Sequence, residues 1–268
     1  MIRKGKYPVL GINIHAVDYE AAVETVIKSA GAGLPCSVSA LAVHGVMTGR
    51  ADEIHRRRLN ALDLVVPDGQ PVRWALKWLH GIGLPDRVYG PTLTLLLIEA
   101  AAQNRIPVYF YGSTPETLGK LTENLEKRYP HLQIAGTRPS AFRKLNSVEK
   151  DAVVEEIKAS GAGIVFVGLG CPRQEVWAYE YRDALSLPLI AVGAAFDFHA
   201  GTLPQAPSWM QKRGLEWLFR LIQEPRRLWK RYLVLNPAYL WNVGLQALKI
   251  RILPITLPMG NEPEESYG

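Results

Sequence analysis

The sequence predicts an α/β protein, a mostly parallel sheet with helices on both faces, followed by a basic helical appendage. Three observations carry that expectation. Short apolar, β-branched runs alternate with helical patterns along residues 9–205. Two strand-to-helix junctions share a glycine turn and then a proline. Basic residues are concentrated in one stretch after the last strand.

Strands are expected at 9–14, 37–41, 62–66, 108–111, 132–135, 164–167 and 189–192, where apolar runs suit a sheet buried on both sides. Helical patterns fall between them, at 18–29, 43–60, 71–79, 92–103, 115–129, 147–159 and 172–185. Two more helices, 207–223 and 225–248, follow the last strand. The expected division is an α/β core over 1–205, an appendage over 206–250 and a flexible tail over 251–268. No fixed-period repeat interrupts this order.

Composition narrows the function classes. With 268 residues and 48% hydrophobic content, the chain has material for a real core, which excludes wholesale disorder. Cys36 and Cys171 are too few for a disulfide framework or a zinc cluster and are expected free, in a reducing compartment. The stretch 8–17 is broken by Asn13 and His15, a poor export-signal core. The uncharged run 232–248 holds Asn236, Pro237, Asn242 and Gln246, and is shorter than the roughly 20 apolar residues of a spanning helix. A cytoplasmic protein is expected, with contact to a membrane surface still open.

The formal net charge is +6. Lys212, Arg213, Arg220, Arg226, Arg227, Lys230 and Arg231 crowd into twenty residues, against only Glu216 and Glu224. Such a patch suits an anionic partner: a diphosphate, phospholipid headgroups or nucleic acid. It also suits a plain solvated helix face. Arg213, Arg220 and Arg227 recur every seven residues and share a face if the helix is continuous, although Pro225 argues for a break. Leu215, Leu218 and Ile222 form a separate docking stripe, and Trp209, Trp217, Trp229, Tyr232 and Trp241 suit either packing or a membrane interface.

The junctions Tyr111-Gly112-Ser113-Thr114-Pro115 and Val167-Gly168-Leu169-Gly170-Cys171-Pro172 allow close backbone approach of a ligand, with helix N–H groups free for phosphate. Ordinary strand-to-helix punctuation reads the same way. P-loop, dinucleotide-binding, serine-hydrolase and zinc-protease motifs are absent, as is an Asp-x-Asp pair for a divalent ion. Any diphosphate chemistry would then draw its cations from side chains and helix ends.

Pro67-Asp68-Gly69 ends an expected strand, so Asp68 either caps the next helix or serves as a general base. Arg173 and Gln174 open a helix, and Asp197 stands between Phe196 and Phe198 as a ribose-binding or turn acid. Cys171 and His199 lack partners for nucleophilic or metal chemistry.

Several motifs occur in order: Pro67-Asp68-Gly69, Arg87-Val88-Tyr89-Gly90, Tyr111-Gly112-Ser113, Gly168-x-Gly170-x-Pro172-x-Gln174-Glu175, Gly193-x-x-Phe196-Asp197 and Gly214-Leu215-Glu216-Trp217-x-x-Arg220-Leu221. Together they resemble the WecG/TagA/CpsF glycosyltransferase family over roughly residues 9–231. The resemblance implies a Rossmann-like core and an inverting, metal-independent transferase with no cofactor. It implies transfer from a UDP-sugar to a polyprenyl-diphosphate-linked sugar at the inner membrane face, in surface polysaccharide or teichoic acid synthesis. On that basis Asp68 is the base. Ser39 lies in the substrate pocket, and Arg87, Gly90, Gly112, Ser113, Gly168, Gly170, Gln174 and Asp197 line the substrate and nucleotide sites. Arg213 and Arg220 cover the diphosphate, and no metal site is expected. The family's Thr-x-Asn after the second strand reads Ser39-Ala40-Leu41 here, so acceptor specificity is not carried over. A basic binding module without catalysis is the competing reading, with nucleic acid disfavoured for want of a recognition signature. A homo-oligomer remains compatible with the apolar appendage.

Overall fold

A computed structural model describes residues 1–250, 253 and 263–268. In chain order the first elements are β1 (Arg3–Val9), β2 (Ile12–Val17), α1 (Tyr19–Gly31), β3 (Cys36–Leu41), α2 (Val43–Ala51), α3 (Glu53–Ala61), β4 (Leu64–Pro67) and α4 (Gln70–His80). The sheet continues through α5 (Gly90–Gln103), β5 (Val108–Gly112), α6 (Pro115–Arg128), β6 (Ile134–Arg138), α7 (Ser147–Ala159), β7 (Ile164–Gly168), α8 (Arg173–Leu185) and β8 (Pro188–Ala191). Short helices α9 (Ala195–Ala200), α10 (Ser208–Lys212), α11 (Glu216–Gln223) and α12 (Pro225–Trp229) follow, then a π-helical turn, Lys230–Leu235, and α13 (Asn236–Ala247).

Six strands form one sheet in the order β4-β3-β8-β7-β5-β6, and every neighbouring pair is parallel. The expected α/β class is the observed one. Helices cover both faces, because β-strands such as Val108–Gly112 and Ile164–Gly168 present buried side chains to each side. Phe110 stacks on Phe166 and meets Phe196 edge-on within one core layer, and Tyr111, Trp177 and Tyr181 stack within the opposite one. All strands therefore point their carboxyl ends at one edge, where open parallel sheets hold ligands.

Four local departures from the expected elements have clear causes. The strand expected at 9–14 is a hairpin, because Leu10 and Gly11 both take positive φ (51° and 85°) and turn the chain back on itself. The single helix expected at 43–60 breaks at Asp52, whose carboxylate accepts the N–H groups of Ile54 and His55 and starts α3. The long C-terminal helices are also divided. Gly214 at φ 71° ends the first turn, and Glu224 leaves helical geometry ahead of Pro225. The wide π-turn precedes Pro237, which has no N–H to continue the ladder.

The appendage shares the core of the α/β unit. Tyr239 and Val243 are fully buried with the hairpin and α4, and Gln246 accepts the Leu10 N–H at 2.9 Å. Most of the tail expected to be flexible lies outside the described residues. Its last described part is held: the buried Glu180 carboxylate accepts the N–H groups of Glu265 and Ser266 at 2.6 and 2.9 Å, and Lys150 pairs with Glu264. A buried carboxylate must find donors, and these backbone amides supply them.

Gly112 and Gly168 lie side by side where β5 and β7 end. Gly112 has φ 111°, and a Cβ there would stand 2.8 Å from the Gly168 carbonyl. Gly112→Ala is expected to cost about 2–4 kcal/mol in urea unfolding, since strain and overlap add. Gly161→Ala, with positive φ but open space around it, should cost about 1 kcal/mol. Equal losses at the two sites would contradict the close-approach reading.

Candidate active site

β4 delivers Asp68 to the carboxyl edge of the sheet, directly after Pro67. Gly69 is the residue that caps α4, with no side-chain capping bond, so Asp68 is released from the helix-cap role. Its Oδ1 instead accepts the Gly90 N–H at 3.0 Å, at the start of α5. Its Oδ2 has no hydrogen-bond partner among the described residues. Burial pushes the carboxyl up to about 6, against the opposing pull of Arg87 and the Gly90 N–H. The group is half-buried, ionised at neutral pH, and more basic than an ordinary aspartate.

Two cavities meet at this carboxylate. The first, about 390 Å³, is roofed by the C-terminal helices and walled by Trp74, Trp217, Tyr232, Leu233 and Leu240. The second, about 550 Å³, runs along the tips of β5, β7 and β8 and is lined by Ser113, Gly168, Gly170, Val192 and Asp197. Asp68, Tyr89, His44, Arg220 and Arg231 line both. One chamber is mainly apolar, the other more polar and glycine-lined, and Arg220 and Arg231 stand at their junction.

With this geometry in view, the sequence matches the glycosyl transferase WecG/TagA/CpsF family over residues 7–252. The chain belongs to this family. Two relatives, from Bacillus spizizenii and Bacillus subtilis, are 32% and 30% identical over 176 residues. Each carries the name N-acetylglucosaminyldiphosphoundecaprenol N-acetyl-beta-D-mannosaminyltransferase. The aligned stretch covers 65% of this chain and 66% of each relative, just under two thirds of their length.

Most residues that the family resemblance marked converge on the second cavity: Ser113, Gly168, Gly170, Gln174, Asp197 and Arg220 line it. Gln174 serves chiefly to hold its rim. Its Oε1 accepts the Gly170 N–H at 3.1 Å while its Nε2 donates to Glu175 at 2.9 Å. Arg87 lines the first cavity, and Gly90 acts through its N–H on Asp68.

Three expected site residues lie elsewhere. Ser39 is fully buried, lines neither cavity, and donates to Glu175 Oε1 at 3.2 Å, because its side chain points from β3 toward α8. Gly112 permits the close approach of β5 to β7 and does not face a cavity. Arg213 is exposed and stands 5.8 Å from the Trp209 ring, turned away by the break at Gly214. The heptad spacing therefore serves only its later members: Arg220 and Arg227 line the second cavity. Lys212, also in the basic patch, has its side chain outside the described ones.

Sequence reading counted Arg231 in the basic patch without placing it in the site, and missed His44, which with Arg231 faces both cavities, as well as the apolar wall formed by Trp74 and Leu240. Burial brings His44 down to about 4, and the Arg231 charge assists, so the ring is neutral at pH 7. Phe142, 61% exposed, stands at the mouth of the second cavity. Nothing in the spacing of 139–146 signals this, since the ring is placed by a loop whose Ser140 N–H bonds to Ser113 O at 3.0 Å. His199 Nε2 donates to Pro91 O at 2.9 Å and is held in that structural bond, while burial pushes the Cys171 thiol well up and out of nucleophilic range.

The raised Asp68 value has a stability consequence. A carboxyl raised from 3.8 to about 6 binds its proton more tightly in the folded state. Its contribution is therefore fully present below pH 4 and is lost as pH rises through 6. Asp68→Asn, which cannot ionise, should raise Tm at pH 7.5 by the equivalent of on the order of 1–3 kcal/mol and leave it unchanged near pH 4. A Tm difference independent of pH would contradict the assignment.

Proposed function

We propose that the protein is an inverting, metal-independent glycosyltransferase that moves a hexose or N-acetylhexosamine unit from a UDP-sugar to a polyprenyl-diphosphate-linked sugar. The observation that carries the reading is the Asp68 carboxylate at the meeting of the two cavities, with one oxygen pinned by Gly90 and the other unbonded. The relatives' names support the lipid-linked acceptor.

In this reading the UDP-sugar occupies the second cavity. Glycine junctions admit the diphosphate, and Phe142 offers an exposed ring at the mouth, the kind of surface on which a base stacks. The acceptor enters the first cavity, where Trp74, Tyr232 and Leu240 suit its apolar tail. Ionised Asp68 takes the proton of the acceptor hydroxyl as that oxygen attacks the anomeric carbon from the face opposite UDP. The bond to UDP breaks, and negative charge grows on the departing diphosphate. Arg220, Arg227, Lys230 and Arg231 stand along that cavity to stabilise it. Arg227 is also held by Glu224 in a two-point pair, which fixes its direction.

The appendage also supplies the membrane seat in this reading. Ile222, Trp229, Leu233, Val234 and Trp241 are between 45% and 70% exposed, close in sequence to the basic residues. No helix among the described residues is long and apolar enough to cross a membrane. An apolar face flanked by cations suits a headgroup layer instead.

Asp68→Asn should retain UDP affinity in calorimetry and lose about 10²–10⁴ in turnover. Turnover within twofold of the parent would remove Asp68 from the base role. Arg220→Gln should weaken UDP binding by about tenfold or more, while Arg213→Gln should leave it nearly unchanged. Equal effects of the two changes would mean that the diphosphate sits outside the second cavity.

A further inference from the structure

Glu216 opens α11 and reaches back into the α/β core with 8% exposure. Its Oε1 accepts the Tyr89 hydroxyl at 2.8 Å, and its Oε2 pairs with the Arg87 guanidinium. That guanidinium lies 4.1 Å from the centre of the Tyr89 ring, so both partners of Glu216 are packed on each other. The Tyr89 backbone N–H donates to the Tyr19 hydroxyl at 2.9 Å, and the next N–H, of Gly90, is the one that pins Asp68. Burial and the Glu216 carboxylate both push the Tyr89 phenol up, so it stays a donor throughout the working range.

We propose that Glu216 is a positioning residue: by clamping Tyr89 and Arg87 it sets the segment whose Gly90 N–H orients the Asp68 carboxylate, so that docking of the C-terminal helices and readiness of the base are one event. The inference rests on the transferase reading above and extends it. A free arginine three residues before Gly90 would be drawn to Asp68, the other carboxylate whose charge acts on it. Glu216 holds that arginine instead and leaves Asp68 Oδ2 unbonded for a substrate proton. The clamp joins the roof of the first cavity to the loop beneath it, and removing it loosens both.

The charged and titratable groups that face Asp68 are known from each packed element. Tyr19 comes from α1, His44 from α2, Arg87 and Tyr89 from the loop before α5, Glu216 and Arg220 from α11, and Arg231 from the π-turn. Of these, only Glu216 and Arg87 form a mutual ion pair among the described residues. Glu216→Gln removes a like charge and frees a cation, and both effects favour the carboxylate. The acid limb of kcat against pH should therefore move down by about half a unit or more, with kcat reduced about tenfold. In Arg87→Gln/Glu216→Gln the freed cation is gone, and the limb should return toward that of the parent.

The experiment profiles kcat against pH for the parent, Glu216→Gln and the double variant, and follows amide exchange at Val88–Gly90 in all three. Faster exchange in Glu216→Gln than in the parent, with the limb lowered in that variant and restored in the double one, is the expected result. A role confined to holding the helices would leave the double variant no better than the single. A limb that stays put in Glu216→Gln, a double variant with the same limb as the single or too inactive to profile, or unchanged exchange at Gly90 would each overturn the proposal. Absence of transfer by the parent to any lipid-diphosphate acceptor would count against the transferase reading alone, and the exchange comparison would still decide the clamp.

Discussion

Placing a carboxylate at the tip of a buried parallel strand is costly, and the site is organised around that cost. Asp68 is raised to about 6 by its surroundings, yet it keeps one amide donor, a nearby arginine and an opening to two cavities. Further hydrogen bonds or a direct ion pair would make it more comfortable and less basic. The neighbouring Glu216 takes the arginine that would otherwise neutralise it. In the proposed reaction, stability is given up where proton transfer needs a carboxylate that is ionised but poorly solvated.

The cationic lining follows from the same economy. The helices after residue 206 bring Arg220, Arg227, Lys230 and Arg231 over the open edge of the sheet. Breaks at Gly214, Glu224 and the π-turn steer these side chains inward while leaving Trp229 and Trp241 outside. A continuous helix would align arginines by spacing alone and send some of them into solvent. The appendage is thus folded onto the α/β unit, anchored by the buried Leu228 and Tyr239.

Much of this was legible in the chain itself. Alternating apolar runs gave the parallel sheet, and the strand-tip position of Asp68 and the glycines at 168 and 170 pointed to its carboxyl edge, where all three line the second cavity. Ser39 lies outside both cavities because a strand residue can face either side, and only the packing of α8 decides which; the buried Glu175 claims its hydroxyl. Arg213 lies apart from Arg220 and Arg227 because the heptad rule assumes an unbroken helix, and one glycine at positive φ defeats it. His44, Phe142 and Arg231 were not picked out as site residues because their roles arise from loops and turns meeting across long sequence distances, which no local pattern records.

The most direct test asks whether the two chambers serve two substrates. Amide exchange would be followed in the Asp68→Asn variant with UDP alone, with a short-chain lipid-diphosphate sugar alone, and with both. The account predicts that UDP protects 168–175 and 193–198, that the acceptor protects 70–78 and 231–240, and that the two patterns coexist when both ligands are present. If the ligands compete, or protect the same segments, Asp68 does not stand between a donor and an acceptor, and the central claim is wrong.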